Sequence, residues 1–316
     1  MAIKSEENSV VSRQAALLLF VSIMILWGVN WPIMKVGLDG IPPLTFGALR
    51  CVMGAACFFA LNPLIGRMRL PPRADWPVVF SVGALQIAAF QVFIYLGLEH
   101  VPAGRSSMVA YTTPLWVVPG AILLLGEAVN RTKLLGLFVG LAGLAALFTP
   151  WALDWSDRSI LIGHFWLVLG AVSWAMMLLH VRKHRWESSP LELAPWQFLV
   201  ASLISVPIAL TLEADRSIDW TTQTYVVLAY NGPIATAFCI WAAVTVSRAL
   251  PASTTSLTFL GVPVVGVMSS ALTLGEPLGL FDLAGLALIG GGLLLVARAD
   301  RHGERDKPKD AATDSP

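Results

Sequence analysis

Ten apolar runs, each long enough to cross a lipid bilayer, fill this chain, and a segment of the first half returns in the second with its loop charge reversed. Residues 102–147 contain PAGRSSMVAYTTPLWVVPGAILLLGEAVNRTKLLGLFVGLAGL; residues 251–296 contain PASTTSLTFLGVPVVGVMSSALTLGEPLGLFDLAGLALIGGGL. Laid over each other without a gap, Pro102, Ala103, Ser107, Pro114, Val118, Leu123, Leu125, Gly126, Glu127, Leu134, Gly136, Leu137, Gly143 and Leu144 meet identical residues. Leu and Gly matches are common in membrane sequence by chance. Two aligned prolines and a Gly-Glu pair in one register are not, so the segments read as a duplication.

With 56% hydrophobic and only 13% charged residues, a 316-residue chain cannot cover a soluble globule with polar surface. Lipid can solvate the excess. Crossing roughly 30 Å of hydrocarbon takes about 20 residues at about 1.5 Å each. Spans are expected near 15–35, 43–63, 76–97, 104–125, 132–150, 162–182, 191–212, 223–247, 253–274 and 280–298. The runs are too long for barrel strands and lack alternation, so the predicted fold is an all-α polytopic membrane protein.

Basic loops stay cytoplasmic. With the N-terminus inside, the inner segments hold Arg67, Arg69, Arg73, Arg131, Lys133, Arg182, Lys183, Arg185, Arg248 and Arg298, among others. The outer loops hold only Arg105, Arg158 and Arg216, amid seven acidic residues. Both termini are therefore predicted to be cytoplasmic. Ten spans divide into five plus five, and an odd number per half makes the second half enter from the opposite side. The charge pattern agrees: Gly126-Glu127 precedes Arg131 and Lys133, whereas Gly275-Glu276 precedes Leu280 and Asp282. At an offset of 147, Trp27 also faces Trp174, Lys35 faces Arg182 and Arg50 faces Gln197. The predicted organisation is a cytoplasmic tail (1–14), a first five-helix repeat (15–150), an external connection (151–161), a second, inverted five-helix repeat (162–298) and a disordered cytoplasmic tail (299–316).

The first run lacks a small-residue cleavage site and reads as a retained helix. Cys51, Cys57 and Cys239 fall inside spans without pairing or metal-ligand spacing, so no metal, cofactor or disulfide is expected. A net charge of +1 gives no footing for a nucleic-acid partner, and none is expected.

WGVNWPIMK in the first span, the Arg of FGALR in the second, and Pro followed by Gly-Glu in the fourth and ninth resemble the drug/metabolite transporter superfamily, EamA type. The resemblance covers about residues 15–298. It implies ten helices in two inverted halves and a central cavity lined mainly by helices 1, 3, 4, 6, 8 and 9. It also implies export of small metabolites, such as amino acids or toxic organic compounds, by alternating access across a bacterial inner membrane.

Arg50 lies about two turns inside the second span, where an unpaired guanidinium must face protein or water. It reads as a contact for a substrate carboxylate or as a structural hub, and its neutral repeat partner Gln197 favours the hub. Glu127 and Glu276 sit just past their helices, where capping the following helix or fixing the loop outweighs proton coupling. No Asp or Glu lies mid-span, which argues against a buried carboxylate relay, and leaves a proton path through the substrate or His180 open. The polar and aromatic residues Trp27, Asn30, Gln86, Gln91, Tyr95, Tyr111, Thr112, Trp174, Asn231, Trp241 and Thr258 join Arg50 as candidates for binding a small amphipathic solute. Each also has a plain role in joining helices. Trp151, Trp155 and Trp220 read as interfacial anchors. Pro114 and Pro263 free the carbonyls of Ala110 and Phe259 near the midplane, as hinges or as inherited kinks. Gly136 and Gly140, with Gly285 and Gly292, offer small-residue faces for packing within the chain or, alternatively, a homodimer.

A secondary transporter is the leading expectation, since repeats around a midplane cavity supply two exchangeable conformations. No phosphate-binding GxxxxGK[ST] loop is present for ATP driving. The alternatives are an intramembrane lipid-modifying enzyme, for which Cys51 and His180 form no recognisable cluster, and a non-transporting sensor or assembly subunit.

Overall fold

The computed structural model describes residues 13–127, 130–148, 156–275 and 279–305. Glu276, Trp151, Trp155 and most of both predicted tails lie outside them. Every regular element among the described residues is a helix, and there is no strand among them. Helices α1 (Arg13–Gly37) and α2 (Pro43–Leu64) are followed by a rod made of α3 (Trp76–Ser81), a π-helical segment (Val82–Ala89) and α4 (Phe90–His100). Next come α5 (Ala103–Ala110), α6 (Pro114–Leu125) and α7 (Arg131–Phe148). The second half holds α8 (Arg158–Lys183), α9 (Pro190–Leu212), and a rod of α10 (Thr222–Tyr230), a π-helical segment (Asn231–Phe238) and α11 (Cys239–Ala249). It ends with α12 (Ala252–Thr258), α13 (Gly261–Leu274) and α14 (Leu280–Arg305).

Eight helical segments are long and apolar enough to cross a membrane; the other two predicted spans correspond to α7 and α14, whose apolar stretch narrows to Leu283–Leu295. Leu18, Leu123, Leu203, Leu210 and Leu272 are more than three-fifths exposed. Such a coat of leucine suits hydrocarbon and not water.

The fourth and ninth predicted spans are each broken ahead of their proline. Pro114 cannot donate to Ala110, and α5 stops there. The Thr113 hydroxyl donates to the freed Ala110 carbonyl at 2.9 Å. At the second break, Val262 N–H takes the Phe259 carbonyl at 3.0 Å. Both spans then end on a left-handed glycine, Gly126 (φ 64°) and Gly275 (φ 67°). Only a residue without Cβ adopts that turn cheaply, which gives the repeated Gly-Glu pair its physical reason.

Several helix starts are capped by side chains, in two ways. Asn130, Asp157, Ser189 and Thr221 cap α7, α8, α9 and α10 from within the local sequence. Helices α2 and α12 instead begin after prolines that lack a capping side chain. They borrow carboxylates from the other half. Glu213, at the end of α9, accepts from Leu44 N at 3.0 Å, Thr45 N at 2.7 Å and Thr45 Oγ1 at 2.8 Å. Glu127 accepts from Ala252 N at 2.7 Å. Glu127 therefore caps a helix 125 residues away, while α7, the helix that follows it, carries its own Asn130 cap. At the same end of the bundle as Glu127, fully buried Asp75 accepts from His184 Nε2 at 2.9 Å and from Ser188 N at 2.8 Å.

Helix α7 packs along α14 through glycine. A Cβ on Gly143 would lie 2.7 Å from Gly285 O and 2.8 Å from Ile289 N; one on Gly292 would lie 2.7 Å from Gly136 O and 2.8 Å from Gly140 N. The two backbones thus touch reciprocally, and the small-residue faces read from sequence are used inside the chain.

Candidate functional site

Seven of the sequence candidates for binding and Arg50 converge on one cavity in the middle of the bundle. Its walls are Trp27, Asn30, Trp31 and Met34 of α1, Arg50 of α2, and Gln86 of the first π segment. Phe90, Gln91, Ile94 and Tyr95 of α4, Tyr111 at the break, Trp174 of α8 and Ile240 of α11 complete them. The space is narrow. Its volume is about 50 Å³.

Arg50 is 5% exposed and faces no carboxylate among the described residues. Its Nε donates to Thr236 Oγ1 at 2.7 Å and its Nη1 to Tyr95 OH at 2.8 Å, with Met34 Sδ 3.1 Å from Nη1. It therefore joins α1, α2, α4 and the second π segment, and its partners are side chains rather than a backbone carbonyl. Nη2 makes no hydrogen bond among the described residues, and the residue lines the cavity. The guanidinium is thus held by neutral groups alone among the described residues.

The polar groups around it are incompletely paired. Asn30 Oδ1, both amide atoms of Gln86, Gln91 Oε1 and Trp174 Nε1 are buried without a partner among the described residues. Each such group costs about 1–3 kcal/mol if nothing ever pairs it. All five belong to residues that line this one cavity, where an occupant with polar groups could pair them. The far wall is aromatic: Trp174 meets Trp27, Phe90 and Tyr111 edge-on at 5.2, 4.8 and 5.7 Å, and Phe259, which does not line the cavity, packs on Trp174 at a tilt at 5.4 Å.

Along α1 and α4, the next turn past Met34 and Tyr95 opens on a vestibule of about 570 Å³ lined by Lys35, Leu38, Asp39, Leu98, Glu99, Arg216 and Asp219. There Arg216 Nη1 lies 3.2 Å from Glu99 and 3.7 Å from Glu213. The cavity thus adjoins one end of the bundle, and the aromatic cluster stands on its other side.

Thr112, Asn231, Trp241 and Thr258 do not line the cavity. Thr112 and Thr258 donate back to Val109 O and Thr254 O, Asn231 donates to Val227 O, and Trp241 packs near Phe238. Trp31, Met34, Phe90, Ile94 and Ile240 line it without having been singled out. Apolar wall residues carry no sequence mark that separates them from core, although Trp31 and Met34 lie in the same WGVNWPIMK stretch as Trp27 and Asn30. No group of three or more metal-ligating side chains occurs among the described residues.

A model of the EamA-like transporter family matches the chain twice, over residues 14–149 and 161–298. The chain is 30% identical over 287 residues to the uncharacterized transporter YvbV of Bacillus subtilis (strain 168), across 90% of this chain and 92% of that one. It is 30% identical over 289 residues to a probable amino-acid metabolite efflux pump of Salmonella typhimurium, across 86% and 91% of the two chains. A solved crystal structure has the same fold, with a TM-score of 0.72 over 93% of this chain and 100% of the other, at 22% identity. The chain belongs to the EamA-like transporter family, the drug/metabolite transporter type to which its paired Gly-Glu caps and its WGVNWPIMK motif pointed.

Proposed function

We propose that this protein is a secondary exporter of small zwitterionic metabolites of the amino-acid kind, working by alternating access in a bacterial inner membrane with both termini cytoplasmic. The observation that carries the reading is the set of unpartnered polar atoms on residues that share the cavity with Arg50. The guanidinium suits a carboxylate. Asn30 Oδ1, Gln86 Oε1 and Gln91 Oε1 accept from an ammonium, and the wall of rings takes an apolar side chain. The relative named as an amino-acid metabolite efflux pump points to the same chemistry. The narrowness of the cavity means that the occupied state is wider, by movement of the halves.

Ten spans in two inverted five-helix repeats remain the architecture we favour. The family match over each half supports it, as does the reciprocal glycine contact: residues 143, 285 and 289 meet as residues 292, 136 and 140 do, all at an offset of 149. Loops assigned to one side also meet each other, as Glu127 with Ala252 and Arg182 with Arg248 at the basic end. The vestibule beside Arg216 is then external. Pro114 and Pro263, at the two helix breaks, are the proposed hinges. A homodimer would need a surface other than the α7–α14 glycines.

The test is flux in liposomes containing only this protein. A neutral amino acid is expected to exchange, and its methyl ester and its decarboxylated amine are expected to compete far more weakly. Equal competition by the amine would overturn the carboxylate reading, and absence of any exchange would overturn the transporter reading for these solutes.

A further inference from the structure

The two π-helical segments stand at equivalent places in the halves: Val82–Ala89 and Asn231–Phe238 differ by 149 at both ends. A π turn widens the helix and disturbs its carbonyl ladder, and such turns gather at functional sites. The two tryptophans that face these segments are also a repeat pair, Trp27 in α1 and Trp174 in α8. They pack edge to face, 5.2 Å apart, at the base of the cavity.

Their indole N–H groups are in opposite conditions. Trp27 Nε1 donates to Ala235 O, inside the second π segment, at 2.8 Å. Subtracting 149 from 235 gives Gln86, so the inverted counterpart of this bond runs from Trp174 Nε1 to Gln86 O in the first π segment. That bond is not made: Trp174 Nε1 is buried and has no partner among the described residues. The partners are nevertheless neighbours, because Trp174 and Gln86 line the same cavity and Ser173 Oγ already donates to Leu85 O at 2.7 Å. A carbonyl oxygen has two lone pairs and can accept a second bond.

We propose that Trp27 and Trp174 are alternating latches, with the Trp27–Ala235 bond holding the present state and a Trp174–Gln86 bond holding the oppositely facing one. The inference rests on the inverted-repeat reading above. Inverted halves change the facing of a transporter by exchanging conformations, so each half's contact in one state is the other half's contact in the next. One latch made and one open is what a single asymmetric state displays. The open latch also meets the solute. A ligand acceptor on Trp174 Nε1 competes with Gln86 O for that one proton, so the second latch closes only after the solute has left it. Trp174 is therefore a positioning residue for release.

The experiment uses the full chain with Cys51, Cys57 and Cys239 replaced by Ala and a single cysteine at Ile94→Cys in the cavity wall. Its reaction with a membrane-impermeant thiol reagent is timed from each face of oriented vesicles. Trp27→Phe is expected to lower the ratio of vestibule-side to opposite-side rates roughly two- to tenfold, the worth of one net hydrogen bond. Trp174→Phe is expected to raise it by a similar factor, and the double variant to return it near the parent value. If a phenylalanine variant does not fold, β-(3-benzothienyl)alanine at the same position keeps the ring shape and removes only the N–H. Shifts in the same direction, or no shift in folded variants, would overturn the latch. A parent that never exposes position 94 to both faces would instead overturn the alternating-access reading on which the latch rests.

Discussion

Removing the Glu213 carboxylate is expected to cost this protein more stability than almost any other single change at the bundle ends. Helix α2 starts on Pro42-Pro43, which set the backbone angles for a first turn but offer no oxygen to cap it. Glu213, 6% exposed, supplies that oxygen from the far half through Leu44 N, Thr45 N and Thr45 Oγ1. In Glu213→Ala two backbone donors lose their partner, at about 1–3 kcal/mol each where water cannot reach them. The favourable charge at the helix N-terminus, about 0.3–1 kcal/mol, also goes. Partial hydration at the bundle end reduces the sum, leaving about 2–5 kcal/mol. A fall in melting temperature of about 3–8 °C follows for a chain of this size. Thr45→Ala, which removes only the hydroxyl bond, is expected to cost about 1 kcal/mol. Thermal unfolding of the purified protein in detergent, followed by tryptophan fluorescence, measures both. A Glu213→Ala variant melting within about 1 °C of the parent would refute the cross-half cap.

Three further outcomes are expected. A single cysteine near Asn130 is labelled from the cytoplasm and one near Gly279 from outside; same-side labelling would sink the inverted repeat. Pro114→Ala and Pro263→Ala bias the inward- and outward-facing populations in opposite directions, read as spin-label distances across each end, and unchanged populations in both folded variants would leave only a packing role. Gly143→Ala places a methyl 2.7 Å from Gly285 O and 2.8 Å from Ile289 N, so α7 and α14 must separate. The expected loss is about 1–3 kcal/mol of stability, with transport per folded molecule unchanged.

Much of the fold was legible because it depends on local chemistry. The Gly-Glu pairs end helices for a reason visible in one residue, the freedom of Gly126 and Gly275 to take positive φ. The prolines read as hinges or kinks, whereas the full break of each span and the Thr113 hydroxyl that repairs one were not legible. The cross-half caps were not legible, since Glu213 and Leu44 are 169 residues apart and only tertiary placement pairs them. The π segments were equally hidden, because VGALQIAA and NGPIATAF read as ordinary apolar helix. Polarity in an apolar span singled out Asn30, Gln86 and Gln91 but could not separate them from Asn231 and Thr258, which lie off the cavity and donate within their own helices, although Asn231 Oδ1 is itself buried without a partner among the described residues. Arg50 combined both readings: it is a hub for Thr236, Tyr95 and Met34, and it still presents a charge to the cavity.

The most direct test of a zwitterion site at Arg50 is equilibrium binding of a neutral amino acid and of its carboxamide to the parent and to Arg50→Gln, each checked for folding. A charge-assisted bond to a carboxylate contributes about 1.5–3 kcal/mol, so the amino acid is predicted to bind the variant roughly 10- to 100-fold more weakly than the parent. The carboxamide, lacking the charge, is predicted to change less than about threefold. Equal losses for both solutes would contradict recognition at Arg50 and leave it a structural hub alone.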